Sequence, residues 1–352
     1  MLRVQEQWLS AVNMAKGTFT LGIESTAHTL SFGLVDSDGI PLPSSSDTIR
    51  PEKGGIHPRE AADHHKDIAN QLLENLFEMH GISGRHIGAV AYSQGPGLGP
   101  CLRVGAAIAR GISSKLDVPM VGVNHCVAHI EIGKQQCGCN DPILLYVSGG
   151  NTQVIAHLEG KYRVLGETLD IGIGNMLDKF ARAQGIPFPG GPVIERLAAE
   201  WLQQQDSPSL QGLELPFAVR GMDLAFSGVM TAAQRLIDNG SDLGAVCWSL
   251  QEHAFAACVE VAERALSHTG KSELLLGGGV ACNSRLRTMC KQMAEERSSS
   301  SHAPPRMYCI DNGTMIALLG HIELEHGRTT SLAESAVNQY LRTDETTVTW
   351  AV

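Results

Sequence analysis

The stretch Glu273-Leu274-Leu275-Leu276-Gly277-Gly278-Gly279-Val280-Ala281-Cys282-Asn283 sets the architecture. Its first four residues predict a buried strand, its glycines a tight turn, and Cys282–Met293 a helix. A short apolar run closed by glycine and followed by helical spacing is the strand–turn–helix step of a helix-covered sheet. The same step occurs upstream: Ile87–Ser93 predicts a buried strand, Gly95-Pro96-Gly97-Leu98-Gly99 a turn, and Pro100 to Lys115 a helix. Outward from these two steps, both halves keep one order. In the first, Thr18–Glu24 and Thr29–Asp36 predict a hairpin. A helix follows from Pro58 to His80 with Ile68, Leu72, Leu73 and Leu76 on one face, and strand Val118–Asn124 runs straight into another helix. In the second, strands are predicted at Pro142–Ser148, Thr152–Leu158 and Tyr162–Gly166, a helix at Gly244–Ser267, a strand at Arg306–Ile310 and a helix at Thr314–Glu325.

The expected fold class is therefore α/β, with two duplicated βββαβαβα lobes and an interlobe cleft. Two unrelated Rossmann-like halves are the alternative. Ser25-Thr26-Ala27-His28-Thr29 and Ser148-Gly149-Gly150-Asn151-Thr152 both place Ser and Thr four apart in the first hairpin, at an offset of 123 residues. His125 and Asp311 end equivalent strands 186 residues apart, so the second half carries an insertion of 63 residues, placed near 167–243. The expected division is a lead-in at 1–16, a first lobe at 17–140, a second lobe at 141–326 and a tail at 327–352. Translation starting at Met14 would account for the lead-in. The insertion, with Pro187, Pro189, Gly190, Gly191 and Pro192, is expected to cover the site. Ligands of open α/β sheets bind beyond the carboxyl ends of the strands, which directs attention to residues there.

Composition narrows the function. The chain has 352 residues, 43% of them hydrophobic, with 37 acidic against 27 basic side chains and a formal charge of −10. That balance excludes a general nucleic-acid coat, although not a local basic patch. No apolar run reaches the roughly 18 residues of a membrane span, so no membrane role is expected. Nine cysteines without a CxxC spacing point to a reducing cytosol rather than a disulfide framework. The opening residues lack the apolar core of a signal peptide.

Four constellations carry chemistry. His125-Cys126-Val127-Ala128-His129 leaves a strand end and enters a helix, where a spacing of four aligns both imidazoles for one metal. Pseudo-symmetry puts Asp311 opposite them across the cleft as a third ligand, and two His plus a carboxylate leave open coordination positions. Tyr146-Val147-Ser148-Gly149-Gly150-Asn151-Thr152 offers backbone N–H groups suited to phosphate, or is an ordinary turn. Tyr146 is either a phenolate ligand or a packed strand aromatic. Gly277–Asn283 lets a ligand approach backbone at a helix start, with Asn283 available to a purine or ribose; a tight turn without a ligand is the alternative. Asp178, near a helix start in Asp170–Arg182, reads as a ribose ligand or a surface charge. No Lys-Ser/Thr follows the glycines and no GxGxxG occurs, so neither a P-loop nor a dinucleotide fingerprint is present. His64 and His65, about 100° apart on a helix, are read as structural or interlobe residues.

These motifs, in order from about Thr18 to Leu341, resemble the tRNA threonylcarbamoyladenosine synthase catalytic subunits, formerly called O-sialoglycoprotein endopeptidases. Tyr146 and Asn151 favour the archaeal and eukaryotic KEOPS branch. The resemblance implies an actin/Hsp70/sugar-kinase-like fold. It implies one divalent metal, Fe or Zn, on His125, His129 and Asp311 with Tyr146 as a candidate further ligand. Tyr146, Val147, Ser148, Gly149, Gly150, Asp178, Gly191, Glu195 and Asn283 would line the site for substrate and for the ATP or AMP moiety of the donor. The implied reaction carries threonylcarbamoyl from threonylcarbamoyl-AMP to the exocyclic amine of the adenine 3′ to the anticodon in tRNAs reading ANN codons. The implied partners are tRNA, a small atypical kinase and a dimerising subunit. The implied location is cytoplasmic, or also nuclear for a eukaryotic chain. The donor is already activated, so no protein nucleophile is required, and no general base stands out; Glu24 and the second histidine are poor candidates. Rival readings are a kinase of this fold using Glu24, an ATP-binding module, and a metalloprotease. The last would need His-Glu-x-x-His where Cys126 stands.

Overall fold

The computed structural model describes residues 17–50 and 55–351. The expectations for 1–16 lie outside them. The elements run β1 (Phe19–Glu24), β2 (Thr29–Val35), β3 (Pro41–Thr48), α1 (Pro58–His80), β4 (Ile87–Gly95), α2 (Gly99–Leu116), β5 (Met120–Asn124) and α3 (His125–Cys137). Then come β6 (Ile143–Val147), β7 (Thr152–Leu158), β8 (Lys161–Glu167), α4 (Ile173–Ala183), α5 (Gly191–Leu202), β9 (Val219–Arg220), β10 (Asp223–Leu224), α6 (Ser227–Asp238) and α7 (Leu243–Thr269). The chain closes with β11 (Glu273–Gly277), α8 (Ser284–Glu296), β12 (Ser300–His302), α9 (Arg306–Cys309) and α10 (Gly313–Glu325).

The first sheet has the order β3-β2-β1-β4-β5 and the second β12-β11-β6-β7-β8. Read from the other edge, the second repeats the first. β1 pairs antiparallel with β2, and β2 with β3, while β1–β4 and β4–β5 are parallel. The counterparts β6–β7 and β7–β8 are antiparallel, and β6–β11 and β11–β12 parallel. Such identity of order and direction is the mark of a duplicated unit.

Alternation along β1 explains the first core. Phe19, Leu21 and Ile23 pack with Leu30, Phe32 and Leu34 of β2 and with Ala69, Leu72, Leu76, Ala106 and Ala109 of α1 and α2. The alternate residues Gly22 and Gly33 face α10, at backbone distance. A Cβ on Gly22 would lie 2.1 Å from the Gly313 carbonyl oxygen, and one on Gly33 2.1 Å from the Thr314 nitrogen. Gly313 N–H also donates to Ser31 Oγ at 2.8 Å. Glycine on both partners thus lets α10 lie directly on this sheet.

This docking departs from the expected division. Among the described residues, the compact units are 17–50 with Ile56–Ile132 and 311–351, and, separately, Gly133–Ile310. Helix α10 belongs to the first unit, not to a second lobe ending at 326, and the first boundary falls within α3. Residues beyond 327 also bond to the first unit. Asn338 N–H donates to Gln94 O at 2.9 Å, Arg110 Nε to Ser335 Oγ at 2.7 Å, and Trp350 Nε1 to Glu131 Oε1 at 2.9 Å.

The strand expected at Arg306–Ile310 is one turn of helix, α9, and the sheet is completed instead by Ser300–His302. Pro304 and Pro305 stand just ahead, and a fixed φ without an N–H favours a helix start over a ladder strand. The insertion holds α4, α5, the β9–β10 ribbon and α6. Asp170 ties it together: its carboxylate accepts from Ile171, Phe226 and Ser227 N–H at 2.7, 2.9 and 3.0 Å. His64 and His65 are structural: their Nε2 atoms meet Asp47 Oδ2 and Ala27 O, each at 3.1 Å.

Candidate metal centre and glycine turns

β5 passes into α3 without a loop because Asn124 caps it. Its Oδ1 accepts from Cys126 N–H at 2.9 Å and Val127 N–H at 3.3 Å. The cap fixes the first helical turn, so His125 and His129 share one face with ring centroids 4.8 Å apart. On α10, Asn312 caps in the same manner through Met315 N–H at 2.9 Å, and Asp311 precedes it. Asp311 Oδ1 lies 3.3 Å from His129 Nε2 and 3.6 Å from His125 Nε2. The three ligand atoms fall within 4.8 Å of one another.

The triad assembles, but not as two jaws. Asp311 is not supplied from a second lobe; all three residues belong to the first unit. The physical reason is the glycine-mediated seat of α10 on β1 and β2.

One component was misjudged from sequence. Glu24, considered there as a poor base or as the carboxylate of a kinase, is fully buried and engaged. It accepts from Thr26 N–H at 2.6 Å and Ser93 Oγ at 2.6 Å, and its Oε2 lies 2.9 Å from His125 Nδ1. It orients the ligand: metal-bound histidines commonly carry a carboxylate on the second ring nitrogen. The available signal was strand parity, since Glu24 shares a face with Gly22.

The electrostatics follow from this packing. Burial alone would lower His125, but the charge and hydrogen bond of Glu24, with Asp311 behind, raise it to about 9. Burial pushes His129 down, outweighing its bond to Asp311. Burial opposes ionisation of Asp311, yet the His129 bond and both imidazoles hold it well below the usual carboxylate range. A half-buried carboxylate beside two buried imidazoles, one anchored from behind, suits a divalent cation with open positions.

The other candidates lie in the second unit, where the structure brings them together. Tyr146 and Val147 are buried on β6, and Tyr146 pairs with Gly277. Ser148 N–H donates to Asn151 O at 2.8 Å, closing a turn with Gly149 and Gly150 exposed at its tip. Gly278, at φ 90°, crosses behind it: a Cβ there would lie 2.4 Å from Val147 O. Helix α4 abuts the turn through Gly174 N–H to Ser148 O at 3.1 Å. From α4, Asp178 Oδ1 accepts from Gly190 N–H at 2.7 Å, just before Gly191 opens α5. Glu195 of α5 accepts from Ser284 N–H at 2.7 Å. Asn283 is committed to structure: Oδ1 caps α8 through Arg285 N–H at 2.9 Å, and Nδ2 donates to Gln251 Oε1 at 2.7 Å.

A duplicated five-stranded α/β unit with glycine turns at strand ends defines the actin, Hsp70 and sugar-kinase class of fold. Solved structures agree on the fold. HypF from T. kodakarensis superposes over 90% of this chain and 49% of its own at a TM-score of 0.60 and 13% identity. Component A of the Acidaminococcus fermentans (R)-2-hydroxyglutaryl-CoA dehydratase does so over 89% and 100% at 0.55 and 12%. Within that class, the chain belongs to the tRNA N6-adenosine threonylcarbamoyltransferase (TsaD) family, whose sequence profile matches residues 43–318. A relative of that name from Methanococcoides burtonii is 49% identical over 336 residues, 95% of this chain and 97% of its own. A probable bifunctional tRNA threonylcarbamoyladenosine biosynthesis protein from Methanocorpusculum labreanum is 51% identical over 330 residues, 94% of this chain. The chain spans 60% of the length of that bifunctional relative.

Proposed function

We propose that this chain transfers the threonylcarbamoyl group of threonylcarbamoyl-AMP to the exocyclic amine of the adenine 3′ to the anticodon in tRNAs that read ANN codons. The observation that carries the reading is the convergence of His125, His129 and Asp311, anchored by Glu24, in a chain of this family. These three residues would hold one divalent ion, iron or zinc. When bound, such an ion supplies a Lewis acid for the threonyl carboxylate or hydroxyl and the carbamoyl oxygen.

The chain's own residues do the rest. Glu24 keeps His125 in one ring orientation, and the Asn124 and Asn312 caps hold both ligand-bearing helix starts. Glu24 is saturated with donors and buried, so it is not assigned as base. The Val147–Gly150 turn is assigned the phosphate of the donor, its exposed glycine amides being suited to an anion. Asp178, Gly191, Glu195 and Asn283 are assigned to the nucleotide site, the last by shaping the turn from behind. The amine attacks the carbamoyl carbon, the bond to the AMP phosphate breaks, and the amine proton leaves to solvent. Positioning and charge stabilisation suffice because the donor is a mixed anhydride.

Two finer readings complete the proposal. KEOPS-type subunits, including a small kinase and a dimerising partner, supply basic surface to a chain whose formal charge is −10. The setting proposed for a tRNA-modifying chain of this family is cytoplasmic, or also nuclear for a eukaryotic chain. Among the described residues no helix is long and apolar enough to cross a membrane. The test is incubation with tRNA, threonine, bicarbonate, ATP, the partners and the enzyme that makes the donor, followed by nucleoside mass spectrometry. Threonylcarbamoyladenosine is expected, and its loss in His129→Ala. ATP turnover without modified nucleoside would favour the kinase-like or binding-module reading instead.

A further inference from the structure

A second group of ligating side chains lies in the other unit, and the fold explains why it forms. In the parallel pair β11–β12, Glu273 stands opposite Ser300 and Leu275 opposite His302. Residues two apart share a face, so Glu273 and His302 project to the same side of the sheet. The end of α3 packs on that side: a Cβ on Gly133 would come within 2.7 Å of Leu275 Cδ2. The helix stops where Cys139 N–H donates to Lys134 O at 3.1 Å, and this return brings the Cys139 side chain to the other two. One ligand atom from each of Cys139, Glu273 and His302 lies within 4.8 Å of the others.

We propose that Cys139, Glu273 and His302 form a second cation site, for a thiophilic divalent ion of the zinc type, distinct from the His/His/Asp centre. The donor set is the argument. Thiolate, imidazole and carboxylate together match zinc, and an ion at about 2.0–2.3 Å from each ligand closes such a group by roughly an ångström. A thiolate and a carboxylate also balance a double positive charge, while the neighbouring Lys271 is engaged by Asp141. The outer contacts are built. Glu273 Oε2 accepts from Asn140 and Asp141 N–H at 3.0 and 2.9 Å, and His302 Nε2 meets Ser300 Oγ at 2.8 Å. Ligating carboxylates and imidazoles are oriented by such partners. Cys139 is buried, and the half-buried Cys137 lies two residues before it on the same turn. The ion would pin the end of α3 to β11 and β12, so its role is structural.

The site is tested in the full chain with Co²⁺ as the probe. A thiolate ligand gives Co²⁺ an intense near-ultraviolet charge-transfer band that imidazole and carboxylate ligands do not, and the His125/His129/Asp311 centre has no thiolate. Chelator-stripped protein titrated with Co²⁺ is expected to show the band, complete by two equivalents per chain, of which the His/His/Asp centre takes one. His129→Ala should keep it, Cys139→Ser should abolish it, and Glu273→Gln should weaken it at unchanged circular dichroism. Zn²⁺ should displace the band and raise the melting temperature of His129→Ala by several degrees. No band in the wild-type protein, or a band that survives in Cys139→Ser, overturns the proposal. Both outcomes are read without reference to tRNA modification, so they leave the transfer reading untouched.

Discussion

Among single residues, Glu24 and Glu323 are two buried carboxylates with opposite consequences. Glu24 accepts from Ser93 and Thr26 and faces His125 Nδ1, so Glu24→Gln removes the charge that holds this imidazole. Loss of such an outer partner typically weakens a metal site about 10–100-fold. A chelator-competition titration should show that loss while the fold persists; unchanged affinity would remove Glu24 from the site. Glu323 has one carboxylate oxygen 3.6 Å from an Arg328 nitrogen and the other buried without a hydrogen-bond partner among the described residues. Burial, only partly offset by Arg328, raises its pKa from an ordinary 4.5 to about 7. The folded state therefore holds this proton more tightly than the unfolded chain. The contribution is fully present below about pH 4.5 and is lost as pH rises through 7, a change on the order of 3 kcal/mol. Glu323→Gln should flatten the decline in stability between pH 5 and pH 8 in denaturant titrations. A parallel pH profile for the two proteins would contradict this. Residue chemistry was legible where type and spacing suffice, as for His125 and His129. It was not legible for Glu24 or Asn283, whose roles depend on which atoms the fold brings to each oxygen.

For the elements, apolar periodicity marked the long helices and buried strands: Pro58–His80 and Thr152–Leu158 stand where expected. It failed at β12, because Ser300-Ser301-His302 carries no apolar signal, and at the Pro-led turn that follows. It also could not show which sheet α10 covers. That choice rests on Gly22, Gly33, Gly313 and Gly320, whose backbones meet partners too closely for a Cβ; one on Gly320 would lie 2.2 Å from Ala91 Cβ. The helix in turn sets Asp311. Gly313→Ala would put a methyl 2.4 Å from Gly33 N and 2.5 Å from Phe32 C. Overpacking of this kind costs about 1–3 kcal/mol. A lower melting temperature and a weaker His/His/Asp centre should appear together. Normal stability with weakened metal binding would mean that α10 is not seated by this contact.

At the scale of the whole chain, duplication was visible in the order of predicted elements and is seen again in the matching strand orders of the two sheets. Duplication misled in one respect. Equivalent strand ends suggested a carboxylate from the other half, whereas the returning chain places Asp311 and the segment after it on the first unit. The charge of the chain bears on its partners most directly. With 37 acidic and 27 basic side chains the formal charge is −10, and tRNA is a polyanion. Affinity for nucleic acid comes largely from cationic contacts that release counterions, so it should fall steeply with salt and be small here from the start. The isolated chain should bind unmodified tRNA only weakly at about 0.15 M salt, where screening acts within roughly 8 Å. Adding basic partner subunits should restore binding and give log K against log salt a slope that counts the contacts they supply. Filter binding across a salt series measures both. Tight, salt-sensitive binding by the chain alone would locate the cationic surface on this protein and dispense with the assembly.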